Sequence, residues 1–244
     1  MKKLLSIIIT PIFYLIFLLI LVVFHIVQVV ALNLFGHNVH DKSVALLNLF
    51  LMRSQVILGT KFKFNNFKSF PTNKPIIIIA NHQSMWDIPP IVWRYRKHHP
   101  KFIAKKELTK GIPSISYNLK HGGSVCIDRK NAEESIQKIK VFAQFMGEKK
   151  YAVCVFPEGT RSKDRKVKPF KIGGLATIIK EIPNAVVIPI AIKDTGKIDN
   201  TGSFLLNLGV KVTYTQLPER QLSIDNIEQE LNQIRSEIIE VVED

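Results

Sequence analysis

A histidine and an aspartate lie five residues apart, directly after a run of apolar residues. The run PIIIIA ends at Ala80, and His82 and Asp87 follow it within Asn-His-Gln-Ser-Met-Trp-Asp. On a continuous helix five residues rotate by about 500°, so the two side chains would point to different faces. They can meet only where the chain turns, as it does between a strand and a helix. A carboxylate bonded to one imidazole nitrogen fixes the tautomer, and the other nitrogen can then deprotonate an attacking alcohol.

A structural interpretation of this motif is also available. Asp87 could cap a helix while His82 is satisfied in the core, a pattern that needs no chemistry. Ser84 suggests a further alternative, a Ser-His-Asp hydrolase. However, the chain contains no Gly-x-Ser-x-Gly elbow, and a serine two residues from its base would point awkwardly unless the loop were bent. We therefore expect no covalent serine mechanism.

A second group of polar residues follows another apolar run, AVCVF. Pro157 cannot continue a central strand, so the chain should turn there. Glycine permits a backbone geometry that other residues resist, and arginine offers a planar fork of donors suited to phosphate oxygens. An ordinary turn whose arginine forms a surface ion pair is the alternative. The candidate binding residues of this turn are Glu158, Gly159, Thr160 and Arg161.

Two more candidate cations follow other predicted strands. Arg129 comes after SVCID and could contact a phosphate, or could form a local polar strand end with Asp128. Lys105 or Lys106, after the run KFIA, is the third candidate cation. In an open α/β sheet, ligands bind outside the carboxyl ends of the strands, which is where these side chains are expected.

Short β-branched runs that alternate with helical patterns predict an α/β fold. PIIIIA and AVVIPIAI are continuously apolar, as expected for strands covered on both faces. The alternation predicts a mixed, largely parallel sheet flanked by helices. The predicted strands are 61–65, 75–80, 101–104, 124–128, 152–156, 185–193 and 210–216, and the predicted helices include 44–58, 131–148 and 225–242.

Helical periodicity predicts which side chains two of these helices bury. Asn131 and Glu134 have the spacing of a capping box at the start of one helix. Cys126 and Cys154 lie in β-branched runs, and we expect them to be reduced and buried. The predicted buried positions are Ile136, Ile139, Phe142 and Phe145 in helix 131–148, and Ile227, Leu231, Ile234, Ile238 and Val241 in the last helix.

An apolar segment precedes the α/β pattern. No Asp, Glu, Lys or Arg occurs between Lys3 and Asp41. A spanning helix needs about 20 apolar residues, and this stretch is longer than the 7–15 residues typical of a cleaved signal. We therefore predict a membrane anchor at residues 1–40, spanning or re-entrant, followed by an α/β domain at 41–244. Basic residues on both flanks leave its orientation open, and a long buried helix of a soluble core is the alternative.

The chain is strongly basic, with 34 Lys and Arg against 20 Asp and Glu. Such a surplus attracts nucleic acid, anionic lipid headgroups or phosphorylated and CoA-type substrates. Few aromatic residues occur in the basic runs, so we expect no nucleic-acid partner. A non-catalytic, basic, membrane-tethered binding protein would explain the charge and the anchor, but not His82 and Asp87. The basic segment 161–171 is expected to be solvated and to contact anionic membrane lipids, the substrate phosphate or an acidic carrier protein.

Together these residues resemble the glycerolipid acyltransferase superfamily, and most closely its bacterial 1-acyl-sn-glycerol-3-phosphate acyltransferases. The resemblance covers about residues 75–195. NHQSMWD matches the first family motif, the elements around Lys105, Pro113 and Arg129 match the second, FPEGTRS the third, and VVIPIAI the fourth. Cys126 is a small departure, since an aromatic residue is common there.

The resemblance implies transfer of a fatty acyl group from acyl-CoA or acyl-carrier protein to the sn-2 hydroxyl of lysophosphatidic acid, which gives phosphatidic acid. His82 would be the general base and Asp87 its partner. The family uses no metal ion and no cofactor, and we expect the bacterial inner membrane, with the site on the cytoplasmic side. An acyltransferase for another lysophospholipid or lipid acceptor shares this chemistry and stays open. The implied acceptor-binding residues are Lys105, Arg129, Glu158, Gly159, Thr160 and Arg161.

Overall fold

The computed structural model describes residues 2–199 and 203–243. The strands are β1 (Lys61–Asn65), β2 (Ile76–Ala80), β3 (Lys101–Lys105), β4 (Val125–Ile127), β5 (Ala152–Val155), β6 (Val186–Lys193) and β7 (Lys211–Gln216). The α-helices are α1 (Lys2–Phe35), α2 (His37–Ser54), α3 (Ile88–Arg94), α4 (Ile115–His121), α5 (Ala132–Lys149), α6 (Ile172–Glu181) and α7 (Ile227–Glu243). Within the described residues, the strands form one sheet in the order β1-β7-β6-β2-β5-β3-β4.

Strand β2 lies at the centre of a parallel set. It pairs in parallel with β5 on one side and β6 on the other, so Ile78 is opposite both Cys154 and Ile188. β3 and β4 extend the parallel set, whereas β7 runs antiparallel to β6. The predicted mixed, largely parallel sheet is therefore confirmed. Because β6, β2, β5, β3 and β4 point the same way, their carboxyl ends meet at one edge of the sheet.

Alternate residues of β2 belong to two hydrophobic cores, one on each face of the sheet. Ile77 and Ile79 pack with side chains of α5, α6 and α7. Ile76 and Ile78 pack on the opposite face, with residues of α1 and α3. All five residues of β2 are buried, which explains why its sequence is continuously apolar rather than alternating.

Helix α5 differs from its predicted burial at one position. Asn131 caps it as expected, because its side-chain oxygen accepts the N–H of Glu134 at 3.1 Å. The prediction that Phe145 is buried was wrong, since 42% of that residue is exposed and Met146 occupies the core instead. Ile136 is half-buried. The core contacts of α5 thus follow positions 139, 142, 143 and 146.

Three other predictions needed small corrections. In α7 Ile227 and Val241 are only half-buried, and the last core residue is Val242. Both cysteines are free, as predicted, but Cys126 is half-buried rather than buried. Helix α2 begins at His37, earlier than predicted, because polar residues such as His40 are buried in its first turns and hide the apolar period.

Helix α1 is continuous through Pro11 and packs along its length against the rest of the protein. The Ser6 hydroxyl donates to the carbonyl of Leu206 at 2.6 Å, and Thr10 accepts the N–H of the same residue at 3.1 Å. Phe13 is fully buried. The opposite face exposes many large apolar side chains, and among the described residues α1 is the one helix long and apolar enough to cross a membrane.

A buried ion cluster joins the start of α2 to the start of β3. The Asp41 carboxylate contacts Nδ1 of His99 at 2.7 Å and accepts a hydrogen bond from Nζ of Lys101 at 2.5 Å. Burial alone would raise the pKa of Asp41, but its contacts with His40 and His99 and the charge of Lys101 outweigh burial and hold that pKa well below its ordinary value. Of the two adjacent histidines that precede β3, His98 is buried and His99 contacts Asp41.

Replacing Asp41 tests how strongly this cluster holds α2. Asp41→Asn leaves the nearly buried Lys101 without its counter-ion, so we expect the free energy of unfolding at pH 7 to fall by about 3 kcal/mol. Because the folded-state pKa is depressed, the contribution is present above the unfolded pKa of about 4 and is lost as the pH falls below it. Urea unfolding in detergent at several pH values measures both effects. The exposed Asp225→Asn is the control, and equal losses in the two variants would contradict the prediction.

Candidate active site

The loop between β2 and α3, residues 81–87, is called the His82 loop below. Ser84 accepts the N–H of Trp86 at 3.3 Å and starts a short 3-10 turn at Met85–Asp87. The Asp87 carboxylate reaches back across this turn and accepts the N–H groups of Gln83 at 2.7 Å and Ser84 at 2.9 Å. The turn therefore closes the five-residue gap that a continuous helix would leave open.

His82 and Asp87 meet in this loop. Nδ1 of His82 lies 2.7 Å from Oδ2 of Asp87. The imidazole ring stacks on Phe156, with ring centroids 4.2 Å apart. Asp87 is completely buried, whereas 14% of the His82 side chain is exposed. Nε2 of His82 makes no hydrogen bond with any residue that the structure describes, so the pair has the geometry of an oriented base with one nitrogen unused.

Glu158 joins the His82 loop to the segment that follows β5. Its two oxygens accept the N–H of His82 at 2.7 Å and the N–H of Lys168 at 3.1 Å. Burial raises the pKa of this carboxyl, and the two N–H groups act against that rise. Because both oxygens already bind backbone donors, the geometry favours a positioning role for Glu158 over direct contact with a substrate.

The Pro-Glu-Gly turn needs its glycine because of the backbone conformation at this position. Gly159 has φ +72°, a backbone conformation that residues with a side chain rarely adopt. A Cβ at this position would also lie 3.2 Å from Cδ of Lys171. Thr160 and Arg161 follow it on the surface. The Lys168 ammonium donates to the carbonyl of Arg161 at 2.8 Å. This contact folds the basic segment 161–171 back onto the turn, beside the His82 loop.

Lys105 and Arg129 are exposed at the carboxyl ends of β3 and β4. The strand order places these ends two and three strands away from β2. At a strand spacing of about 4.8 Å, they lie about 10 and 14 Å along the edge from the end of β2. Arg161 follows β5, the immediate neighbour of β2. The structure thus brings Glu158 to His82 and spreads the cations along the same edge.

The connection after β6 supplies polar residues that the sequence interpretation missed. The Thr195 hydroxyl donates to Oδ1 of Asp87. Asp199 accepts the Ser84 hydroxyl at 2.5 Å and the indole N–H of Trp86 at 3.1 Å. Ser84 therefore donates to Asp199 and not to His82, which argues against a Ser-His-Asp triad. The available signal was the position of Thr195, just after a strand predicted to end at the same edge.

No metal site accompanies this arrangement within residues 2–199 and 203–243. There, no three His, Cys, Asp or Glu side chains are grouped so that they could hold a metal ion. The groups gathered around His82 are instead a carboxylate, backbone N–H groups, aromatic rings and exposed cations. Such a set suits proton transfer from a hydroxyl beside an anionic group.

The fold and this edge define an α/β protein with a His-Asp pair at the carboxyl end of its central parallel strand. A family model described as Acyltransferase matches residues 61–193. These residues are more than half of the chain and include the His82 loop, Glu158 and all the candidate cations. The chain belongs to the acyltransferase family.

Similar proteins agree with this family. A 1-acyl-sn-glycerol-3-phosphate acyltransferase alpha from Ovis aries is 30% identical over 157 residues, which are 64% of this chain and 52% of the sheep protein. A chloroplastic 1-acyl-sn-glycerol-3-phosphate acyltransferase from Brassica napus is 33% identical over 132 residues, 54% of this chain and 37% of that protein. The chain thus spans about half the length, or less, of these curated relatives.

A solved structure has the same fold over nearly the whole chain. The crystal structure of the 1-acyl-sn-glycerophosphate (LPA) acyltransferase PlsC from Thermotoga maritima superposes with a TM-score of 0.76 and covers 98% of each chain. Sequence identity is 23%. The likeness includes the amino-terminal helices as well as the α/β sheet, since so little of either chain is left out.

Replacing Glu158 tests its role in joining the two segments. Glu158→Gln keeps the shape but has one acceptor oxygen, so one of the two backbone N–H groups loses its partner. We expect the free energy of unfolding to fall by about 1–3 kcal/mol, as for other buried donors left unpaired. Chemical unfolding in detergent measures the change. Glu148→Gln, at an exposed position of α5, is the matched control, and similar curves for both variants would contradict the role.

Proposed function

We propose that the protein transfers a fatty acyl group from an acyl thioester to the sn-2 hydroxyl of 1-acyl-sn-glycerol-3-phosphate, giving phosphatidic acid. The observation that carries the proposal is the 2.7 Å contact between Nδ1 of His82 and Oδ2 of Asp87, in a segment that matches the family model. The acceptor is taken from the names of the relatives, which are 1-acyl-sn-glycerol-3-phosphate acyltransferases. The donor is acyl-CoA or acyl-carrier protein.

His82 acts as general base in the proposed reaction. Its free Nε2 takes the proton of the acceptor hydroxyl while the hydroxyl oxygen attacks the thioester carbonyl. The new C–O bond forms, the C–S bond breaks, and the departing thiolate receives the proton from the imidazolium. Asp87, bound to Nδ1, holds the ring in the required tautomer and stabilises its charged form. The chain's own groups are sufficient for these proton transfers, and we propose neither a metal ion nor a cofactor.

The exposed cations along the sheet edge bind the phosphate of the acceptor. Arg161 follows the strand next to β2 and is the best placed, because its guanidinium can form paired hydrogen bonds to phosphate oxygens. Lys105 and Arg129 lie farther along the edge and suit either that phosphate or the phosphates of a CoA donor. Gly159 and Thr160 shape the acceptor pocket at the turn that precedes Arg161.

We place the protein at a membrane, and specifically at the cytoplasmic face of the bacterial inner membrane. The exposed apolar face of α1 supports membrane association, since contact with lipid covers it. Phe13 and Phe17 of α1 contact Trp86 of the His82 loop, each with ring centroids 5.5 Å apart. A lysophosphatidic acid whose acyl chain stays in the bilayer can therefore present its headgroup close to His82.

One assay tests the proposed reaction directly. Purified protein in detergent is supplied with lysophosphatidic acid and either acyl-CoA or acyl-carrier protein, and phosphatidic acid and free thiol are followed together. We expect equal amounts of both products with at least one donor. Other lysophospholipids run in parallel test the alternative acceptors. Thiol release without phosphatidic acid would contradict the proposed acceptor.

Two substitutions separate the general base from the neighbouring serine. His82→Ala should abolish acyl transfer, with a loss of about 10²–10⁴-fold or more in kcat, because a positioned base contributes that much. Ser84→Ala should keep substantial activity, with a loss of no more than about tenfold in kcat, because the Ser84 hydroxyl helps to hold the turn through Asp199 but is neither the base nor a nucleophile. Initial rates of phosphatidic acid formation measure both. The reverse order of activities would contradict the mechanism.

Charge removal tests whether the basic segment 161–171 contacts anionic headgroups. Replacing Lys163, Arg165, Lys166 and Lys168 by glutamine should weaken binding to phosphatidylglycerol vesicles by about 10²–10³-fold, because each cation near the surface contributes about 1 kcal/mol and about 1.4 kcal/mol is a factor of ten. Binding to neutral phosphatidylcholine vesicles should change little, since the apolar face of α1 is intact. Co-sedimentation measures both. Four glutamines at Lys138, Lys140 and Lys149 of α5 and at Lys150, which follows it, are the control. Unchanged binding in the first variant removes the headgroup role.

A further inference from the structure

The connection after β6 holds the His82 loop from outside the matched segment. Thr195 is fully buried and binds Asp87, and Asp199 binds Ser84 and Trp86. Both residues lie beyond residue 193, where the match to the family model ends. A part of the chain that the family match leaves out therefore contacts four of the seven residues of the loop, namely Gln83, Ser84, Trp86 and Asp87.

The two oxygens of Asp87 are bound in different ways. Oδ2 accepts the N–H groups of Gln83 and Ser84 and contacts Nδ1 of His82. Oδ1 has a single partner in the described part of the chain, the Thr195 hydroxyl. Because Asp87 is completely buried, an unpaired Oδ1 would be costly. The Thr195 hydroxyl thus fixes the rotation of the carboxyl group, and with it the direction from which Oδ2 meets His82.

Asp199 contacts the turn whose backbone N–H groups bind the Asp87 carboxylate. Its two carboxylate oxygens bind the Ser84 hydroxyl and the Trp86 indole on either side of Met85. Ser84 in turn supplies one N–H to Asp87 at 2.9 Å. Ser84 and Trp86 are almost completely buried. Because Asp199 holds these two side chains, it also fixes the turn. The turn in turn fixes the Ser84 N–H group that binds Asp87.

We propose that Thr195 and Asp199 are positioning residues for acyl transfer: Thr195 orients the Asp87 carboxylate, and Asp199 fixes the turn that binds it. The inference rests on the proposed function, because it takes His82 and Asp87 to be the pair that moves the proton. Neither residue contacts the reacting atoms, and each acts through Asp87. A misplaced base slows the chemical step while substrate contacts persist. Loss of either residue should therefore lower kcat and leave KM nearly unchanged.

Three threonine variants test the orientation of Asp87. Thr195→Val keeps the shape and removes the hydroxyl, and we expect kcat to fall about tenfold or more with KM within about threefold. Thr195→Ser keeps a hydroxyl and should restore kcat to within about threefold of the wild type. Thr177→Val removes a hydroxyl that bonds within α6, and it is the control. Steady-state rates with lysophosphatidic acid, with thermal unfolding in parallel, measure all three.

A double-variant cycle tests Asp199. Asp199→Ala and Ser84→Ala remove the same contact from opposite sides, so their effects on kcat should not add. We expect the double variant to be no slower than about twofold below the slower single variant. Asp225→Ala combined with Ser84→Ala is the matched control, and those two effects should be independent. Fully additive losses for Asp199 and Ser84 would overturn the role of Asp199.

His82→Ala in the same assay separates failure of the inference from failure of the proposed function. An active wild type, an inactive His82→Ala and a Thr195→Val with wild-type kcat would overturn the inference alone. Equal losses in Thr195→Val and Thr195→Ser would also overturn it, since the hydroxyl would then be irrelevant. A wild type that forms no phosphatidic acid, or a His82→Ala that remains fully active, would overturn the proposed function and the inference with it.

Discussion

The buried carboxylate of Asp87 is the interaction on which the His82 loop depends. A carboxylate with no solvent contact is stable only if donors surround it, and here two backbone N–H groups, one hydroxyl and one imidazole do so. The backbone donors force the chain to turn tightly between β2 and α3. The same turn brings His82 back toward Asp87. One turn therefore both supplies hydrogen bonds to the buried charge and orients the imidazole.

The order of the strands in the sheet makes this arrangement of the His82 loop possible. β2 lies between β5 and β6, and the three strands run parallel, so the segments that leave them converge at one edge. From one side Glu158 binds the N–H of His82, and from the other Thr195 binds the carboxylate of Asp87. The His82 loop has little freedom between these two neighbours. A site built at the junction of rigid strands keeps its geometry better than one carried by a free loop.

The strands and the His82–Asp87 contact could be predicted because they follow from local patterns. Continuous apolar runs identify buried strands, and a polar residue just after such a run lies at the edge where ligands bind. Thr195 stands just after such a run, but no local pattern links Thr195 or Asp199 to the His82 loop, because their partners are more than 100 residues away in the chain. Their types are also ordinary for a loop. Only the pairing of β6 with β2 makes them neighbours of the site.

Burial inside helices was predictable to within one position. The apolar period of α5 predicted that Phe145 is buried, but Met146 faces the core instead. The sequence pattern does not distinguish an exposed phenylalanine from a buried one. In α2 the first turns bury polar residues such as His40, so hydropathy placed the helix start too late. Both errors arise because a helix of mixed polarity is positioned by its neighbours rather than by its own pattern.

Phe13 of α1 belongs to the same core as Trp86 and Tyr214, and none of the three is more than 2% exposed. One face of the amino-terminal helix is thus part of the core of the domain, and the other face exposes apolar side chains. Cutting the chain ahead of α2 to obtain a soluble fragment would open this core next to the His82 loop. Removing the exposed apolar face of α1 and preserving the fold are therefore incompatible, because a version without its first 35 residues would lose both Phe13 and the aromatic contacts that support Trp86.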